Sequence, residues 1–357
     1  MKLKRTMVYR RFLFSIIFIL NSLFGDNYWV KYGWELFNTG GAAPSIALGN
    51  ALTAYHGGYV GSYLVNPAHP IVQNQTWTFS HQSRFAGMIN REMIGFPMKV
   101  NQRTIHSIFI YEGIGQIPDT RNMLLDWGLD GQFGTNDLGE GNGILDEGER
   151  LDPNKLDYFG QHQFGAYFST PISILNQKGG IGLKVLYHSI GENTGVGVGF
   201  NIGIVKPLGK GHVGVTIKDV PSSGVLWDNG TIENSIPSAS IGYSLPIALE
   251  KFPIHVFYNI GSHIEPNNRN LYSTIGTGNL GISFDGSMEW IYQEKISFQL
   301  GRSKDGFISS GLGLTFDEIS INYAFLLTEP ATQLGNNHYI SITFQPSWII
   351  QKIIPQE

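Results

Sequence analysis

The sequence predicts an all-β protein, a membrane-spanning antiparallel β-barrel of about 14 strands with an N-terminal small-residue segment set against it. Three observations predict it: a dominant period of two in hydropathy, a composition built for strands and turns, and an export-type N-terminus. Side chains on a strand alternate between its faces, so apolar residues at every second position mark a sheet with one apolar and one polar side. Charged residues are only 15%, aromatics reach 13% and there are 45 glycines in 357 residues, a mixture suited to many strands and tight turns rather than helices. Mean hydropathy is −0.06, which argues against a helical membrane protein but suits a barrel, where outward apolar and inward polar residues average out. Alternation alone fits a soluble β-sandwich or propeller equally well. Strand number, low charge and the leader together favour the barrel.

The period of two begins at Gln75. Trp77 and Phe79 alternate with Thr76, Thr78 and Ser80, and Val213, Val215 and Ile217 with Gly214, Thr216 and Lys218. Ile296, Phe298 and Leu300 oppose Lys295, Ser297 and Gln299. Ile319, Ile321, Tyr323 and Phe325 oppose Ser320, Asn322 and Ala324, and Ile340, Ile342 and Phe344 oppose Ser341 and Thr343. Strands are expected to begin near Trp77, Ile94, Ile105, Asp157, Ile181, Thr194, His212, Ser235, Phe252, Asn279, Lys295, Phe307, Ile319 and His338. Gly-, Asn-, Asp- and Pro-rich turns separate most of them. Lipid demands an even, antiparallel set closed on itself, because an open edge leaves backbone groups unpaired.

Upstream, Lys2, Lys4, Arg5, Arg10 and Arg11 precede an apolar run from Phe12 to Phe24. That order is expected of a secretory signal peptide over residues 1–25, since the run is shorter than the about 20 apolar residues of a membrane span. The expected division is then a plug-like segment over 26–74 and an outer-membrane barrel over 75–357, with an acidic loop inserted at 115–157.

Within the plug-like segment, residues 41–68 read GAAPSIALGNALTAYHGGYVGSYLVNPA. Small residues let backbone approach backbone, and Pro67 pushes Asn66 out of the helical region. Tyr55, Tyr59 and Tyr63 recur every four residues, which suits either an aromatic helix stripe or ordinary packing, with packing the commoner outcome. Ala47, Gly49, Ala51 and Ala54, followed by Asn66-Pro67-Ala68, resemble the N-terminal signature of barrels related to the long-chain fatty-acid transporters. The resemblance is strongest to the PorV/PorQ branch associated with type IX secretion. It departs at His56-Gly57-Gly58, where that family usually carries acidic residues. It implies an outer-membrane location and a role either in uptake of hydrophobic small molecules or as an accessory to protein secretion and surface attachment. The partners implied are outer-membrane lipid and a hydrophobic ligand, or secreted proteins and their machinery.

One connection breaks the rhythm of strands. Between Gly115 and Asp157 stand ten acids against three bases, a balance of −7, while the whole chain carries −4. Asp126, Asp130, Gln132 and Asp137 place oxygens at spaced positions around Gly131, which resembles a calcium loop, although Gly128 stands where a side-chain ligand is usual. Glu140, Asn142, Asp146 and Glu149 extend the oxygen-rich run. These eight residues are the candidate ligands of Ca2+ or a similar hard cation. Long barrel loops lie outside the cell, and this one is expected there.

Other chemistry is poorly supported. With no cysteine, disulfides, thiolate metal sites and cysteine nucleophiles are excluded. A net charge of −4 and pI near 6.2 argue against a nucleic-acid partner. Thr194-Gly195-Val196-Gly197-Val198-Gly199 is no phosphate loop, because no helix follows it; its glycines are expected on one strand face, leaving room for residues 41–68. The ten histidines form no H-x-x-x-H pair, and no serine stands in a G-x-S-x-G turn, so no enzyme is expected. A triad assembled across strands would leave no local motif. The alternative to the transport and secretion readings is an exported structural or binding surface protein that displays the calcium loop.

Overall fold

A computed structural model describes residues 27–29, 34–38, 41–70, 76–174, 177–249, 251–266, 273–277, 280–327 and 336–348. The expected signal peptide falls outside the described residues. The chain runs as β1 (Asn27–Trp29), three short helices α1 (Glu35–Asn38), α2 (Ala43–Ala47) and α3 (Ser62–Val65), and then an almost unbroken series of strands. The first seven of these are β2 (Trp77–Arg84), β3 (Ile89–Val100), β4 (Arg103–Asp119), β5 (Asp157–Ile174), β6 (Gln177–Ile190), β7 (Asn193–Leu208) and β8 (Gly211–Lys218). A hairpin of β9 (Ser223–Trp227) and β10 (Ile232–Ser235) leads into β11 (Ser238–Leu249) and β12 (Ile254–Pro266). The last are β13 (Ile275–Thr277), β14 (Leu280–Tyr292), β15 (Ile296–Arg302), β16 (Ile308–Phe316), β17 (Ile319–Leu326) and β18 (Asn337–Phe344).

Antiparallel pairing runs from β2 through β8, passes to β11, β12 and β14, continues to β18, and returns to β2 through pairs such as Ser341 with Ser80. The result is a closed barrel of 14 strands. Closure satisfies every strand through its neighbours, as a hydrocarbon solvent requires. Each expected strand has a counterpart. The one expected near Ser235 is a strand in two pieces, β10 and β11, and its partner is likewise divided into β8 and β9. The hairpin β9–β10 prolongs this pair, with β9 still on β7 (Val196 opposite Leu226) and β1 lying parallel to β10. Strand β4 runs past Gly115 to Asp119 with a register shift between Ile114 and Ile117, so the acidic connection occupies 120–156.

The alternation resolves into two faces. Phe79, Phe109, Val198, Ile217, Ile260, Phe298, Leu312 and Ile342 are exposed on the outside, whereas Thr78, Ser80, Gln82, Asn201, Thr216, Ser283, Gln299 and Ser341 are buried within. An apolar exterior on a closed sheet is the surface of a membrane barrel. Connections at one end are tight, at 101–102, 209–210, 293–295 and 317–318, while the other end carries the acidic loop, the β9–β10 hairpin and the 303–307 turn. Short turns mark the periplasmic side and long loops the outer side. The wall is uneven: β4 and β5 hold 17 and 18 residues, β15 and β18 only 7 and 8.

The lumen is filled by residues 34–38 and 41–70, which touch the inner face on opposite sides of the barrel. Trp34, Leu36, Phe37, Tyr63 and Leu64 form a core with Met93, Ile108, Ile110, Tyr167 and Leu186 of the wall. Elsewhere glycines of the wall admit the segment's backbone. A Cβ on Gly214 would stand 2.0 Å from the Thr53 carbonyl oxygen, one on Gly180 2.0 Å from that of Pro67, and one on Gly301 2.3 Å from the Leu48 carbonyl carbon. Gly195, Gly197 and Gly199 also face inward, but the expected occupant of their space is corrected. A Cβ on Gly197 would meet the Trp34 ring at 2.9 Å, and those on Gly195 and Gly199 would meet Val225 and Ser223 of β9. Period-two glycines reveal which face is crowded and not by what.

Replacing Gly214 with Leu is expected to expel residues 41–70 or block folding, read as lost heat-modifiable migration or new protease cleavage within that segment. Gly115→Leu, where nothing lies within 4 Å of an added Cβ, should migrate and resist protease as the unaltered chain does. Equal behaviour of the two variants would refute the close fit.

Candidate functional site

The floor of the site is the lumen segment, held by polar groups of the wall. Gln82 Nε2 donates to the Gly41 carbonyl at 2.8 Å, Ser341 Oγ accepts from the Ala43 amide at 2.7 Å, and Ser309 Oγ donates to the Ala47 carbonyl at 2.9 Å. Asn66 explains the Asn-Pro-Ala motif. Its Nδ2 donates to Thr53 at 2.7 Å and its Oδ1 accepts from the Ala68 amide at 3.0 Å, so one buried side chain ties both ends of the segment's last turn. Gly203 leaves the space this side chain fills.

The tyrosines do not form a helical stripe, because α3 contains only Tyr63. Tyr55 and Tyr59 stack at 5.8 Å between ring centroids, and Tyr63 stacks on His106 at 3.8 Å. Packing is thus their first role. Both Tyr55 and Tyr59 also donate to the carboxyl group of Glu289 on β14, Tyr59 at 2.5 Å, and Gln299 donates to it at 2.9 Å. Glu289 is fully buried, and a buried acid without such donors would be costly. Lys184 is treated likewise: it pairs with Asp219 and lies 4.9 Å from the Trp34 ring centre.

Above this floor, at the long-loop end, lies a cavity of about 390 Å³. Ile46, Gly49, Asn50 and Val65 of the segment form its base, and the outer ends of β2, β8, β11, β12, β14 and β18 its wall. One side is apolar, with Phe307, Leu326 and Tyr339. The other is polar: Lys304 pairs with Glu265, Ser240 Oγ lies 2.8 Å from His263 Nδ1, and His263 Nε2 lies 2.5 Å from Asp285 Oδ2. Chemically this is an amphipathic receptacle, open outward and closed beneath. The lining residues carry no shared local motif: those on strands share only an inward phase, and others come from the lumen segment and the 303–307 turn. Five histidines read as strand residues, His81, His106, His162, His188 and His212, do sit in strands, but none lines the cavity.

The acidic loop stands apart from the cavity on the outer face. Its carboxylates turn onto its own amides. Asp126 accepts from Asn142 and Gly143, Asp137 from Asp130, Glu140 from Gly134 and Asn136, and Glu149 from Gly128 and Asp146. Asp130 accepts from Gln132, and Asp146 from the side chain of Asn142. Left-handed glycines make the bends, Gly128 at φ 72° and Gly139 at φ 97°, and their missing Cβ atoms leave room for Asp137 and Asp146. Among the described residues no three His, Asp or Glu side chains form a group arranged to hold a metal ion. Asp137 Oδ1 is buried without a hydrogen-bond partner.

Comparison with protein families and with curated proteins finds no match. Among solved structures, the chain is similar to the toluene transporter TodX of Pseudomonas putida at 10% identity and a TM-score of 0.49, covering 85% of this chain and 96% of that one. A monoaromatic hydrocarbon channel variant of TodX aligns at 11% identity and a TM-score of 0.44, over 85% and 97%. The outer membrane protein Omp33 of Acinetobacter baumannii aligns at 5% identity and a TM-score of 0.38, over 76% and 98%.

Glu289→Ala removes three hydrogen bonds to one buried acid, each worth roughly 1.5–3 kcal/mol where a charged group takes part. The expected outcome is a lower urea midpoint for the folded barrel and faster cleavage between residues 41 and 70 by added protease. Unchanged protection would show that Glu289 does not anchor the segment.

Proposed function

We propose that this outer-membrane barrel takes up hydrophobic or amphipathic small molecules, which bind first in the mouth cavity and pass only when the N-terminal segment beneath yields. The observation that carries this reading is the cavity itself, apolar on one side, facing the long-loop end, with its floor made of a segment that belongs to neither wall nor loops. Apolar lining with a few convergent polar groups is the usual character of a small-molecule site. The segment then acts as a plug. Expression in a host with an impermeable outer membrane should accelerate uptake of an apolar fluorescent probe. Phe307→Asp, which places a charge on the apolar side, should reduce that uptake several-fold while heat-modifiable migration stays unchanged. Equal uptake with and without the barrel would remove the reading.

A second reading, accessory to type IX secretion and surface attachment, is favoured by the acidic loop, which exposes Phe133 at 80% and Leu138 at 79%. Large apolar side chains displayed among carboxylates suit a protein partner. Pull-down of secreted proteins by the whole barrel, lost when residues 126–149 are replaced by a Gly/Ser loop, would support it.

The same loop is proposed to take Ca2+, on the ground of its hard oxygen donors and the partnerless Asp137 Oδ1. Binding would draw carboxylates from the amides they hold. Calcium should slow proteolytic cleavage within 120–156 relative to a chelator, and equal rates would count against it.

A further inference from the structure

We propose that the mouth cavity is also an ester-cleaving active site, with Ser240 as nucleophile, His263 as general base and Asp285 as the positioning residue that holds His263. This goes beyond uptake and does not depend on it, since a barrel that conducts nothing would still cleave an ester bound at its mouth.

The three residues lie on the inward faces of adjacent strands β11, β12 and β14. Ser240 stands directly opposite His263 in the register. Asp285 stands opposite Gly261, and the missing side chain there is what lets the carboxylate lean along the strand to the imidazole. A Cβ on Gly261 would lie 2.2 Å from Asp285 Oδ1. Asp285 Oδ2 accepts a hydrogen bond from Nε2–H at 2.5 Å, and the tautomer that this bond selects leaves the Nδ1 lone pair facing Ser240 Oγ at 2.8 Å. A serine, an imidazole and a buried acid in this order form the constellation of hydrolytic triads, recognised by geometry and roles rather than by sequence position. The two ring nitrogens are exchanged relative to the chymotrypsin arrangement. The chemistry needs one nitrogen fixed by the acid and the other free at the hydroxyl, and either assignment meets it.

The surroundings fit. Asp285 has 2% and His263 12% of its side-chain surface accessible, so water is largely excluded, yet all three residues line the cavity. Lys218 lines it too, opposite Ser238 on the neighbouring strand and thus close to Ser240. It forms no salt bridge among the described residues, which leaves its ammonium to stabilise an oxyanion. Ile46, Val65, Phe307 and Leu326 offer the acyl side of a substrate an apolar bed. The substrate class is therefore a carboxylic ester of an acyl chain.

In the first step Ser240 Oγ attacks the ester carbonyl carbon while its proton passes to His263 Nδ1, and the carbonyl electrons move onto the oxygen facing Lys218. The tetrahedral adduct collapses, the bond to the alkoxy oxygen breaks, and Nδ1 returns the proton to the departing alcohol. Water, deprotonated by the same nitrogen, then attacks the acyl-serine and releases the carboxylic acid and free Ser240.

The test uses the purified full chain in detergent, where transport plays no part, so this proposal and the uptake reading fail separately. A fluorophosphonate probe is expected to leave one adduct, located on Ser240 by peptide mass spectrometry, and p-nitrophenyl acyl esters should be hydrolysed. Ser240→Ala, which removes a single hydroxyl and should keep heat-modifiable migration, is expected to abolish the adduct and slow hydrolysis roughly a thousandfold. Asp285→Asn should lower kcat with little change in KM, and Asp285→Glu should restore part of it; a merely structural carboxylate would not divide the constants this way. A folded chain that takes no probe and cleaves no faster than Ser240→Ala overturns the proposal.

Discussion

Close approach of backbone to backbone inside the barrel is the constraint on which the other features rest. Gly180, Gly203, Gly214, Gly301 and Gly311 have no Cβ to spare the segment's carbonyls and side chains any distance. Only a wall with gaps at those places can accept a chain already rich in Ala and Gly. Once the segment is seated, the lumen is no longer a pore lined by water but a packed interior. A charge turned inward must then find a partner on the segment or on the wall.

That demand accounts for the distribution of charge. Arg91 with Glu112, Lys184 with Asp219, and Glu289 with two tyrosines are each satisfied deep in the structure. A buried charge that loses its partner is strongly destabilising, so these groups tie the seating of residues 34–38 and 41–70 to the integrity of the wall.

The barrel was legible because lipid imposes a strict alternation. Val213, Val215 and Ile217 against Gly214, Thr216 and Lys218 contain both the strand and its facing, and fourteen such patterns gave the strand number. The segment was legible as a crowded stretch from its small residues, and Asn66-Pro67 as its terminus. Local pattern could not disclose what meets across space. Tyr55 and Tyr59 are 234 and 230 residues from Glu289, and Gly197 sits under Trp34 rather than under residues 41–68. Ser240, His263 and Asp285 share only an inward phase on neighbouring strands, a signal common to many residues of the wall. The hairpin of β9 and β10 was not expected, because strands of 5 and 4 residues are too short to carry a clear alternation.

The lumen segment is continuous with the first barrel strand: its last described residue is Pro70, and β2 begins at Trp77. Any displacement of the segment is therefore an intramolecular event. Covalent linkage would hold a released piece at an effective concentration in about the millimolar range beside its own seat, so reseating would be independent of how many barrels the membrane contains. A ligand that displaced the segment would contend with that local concentration as well as with the contacts themselves.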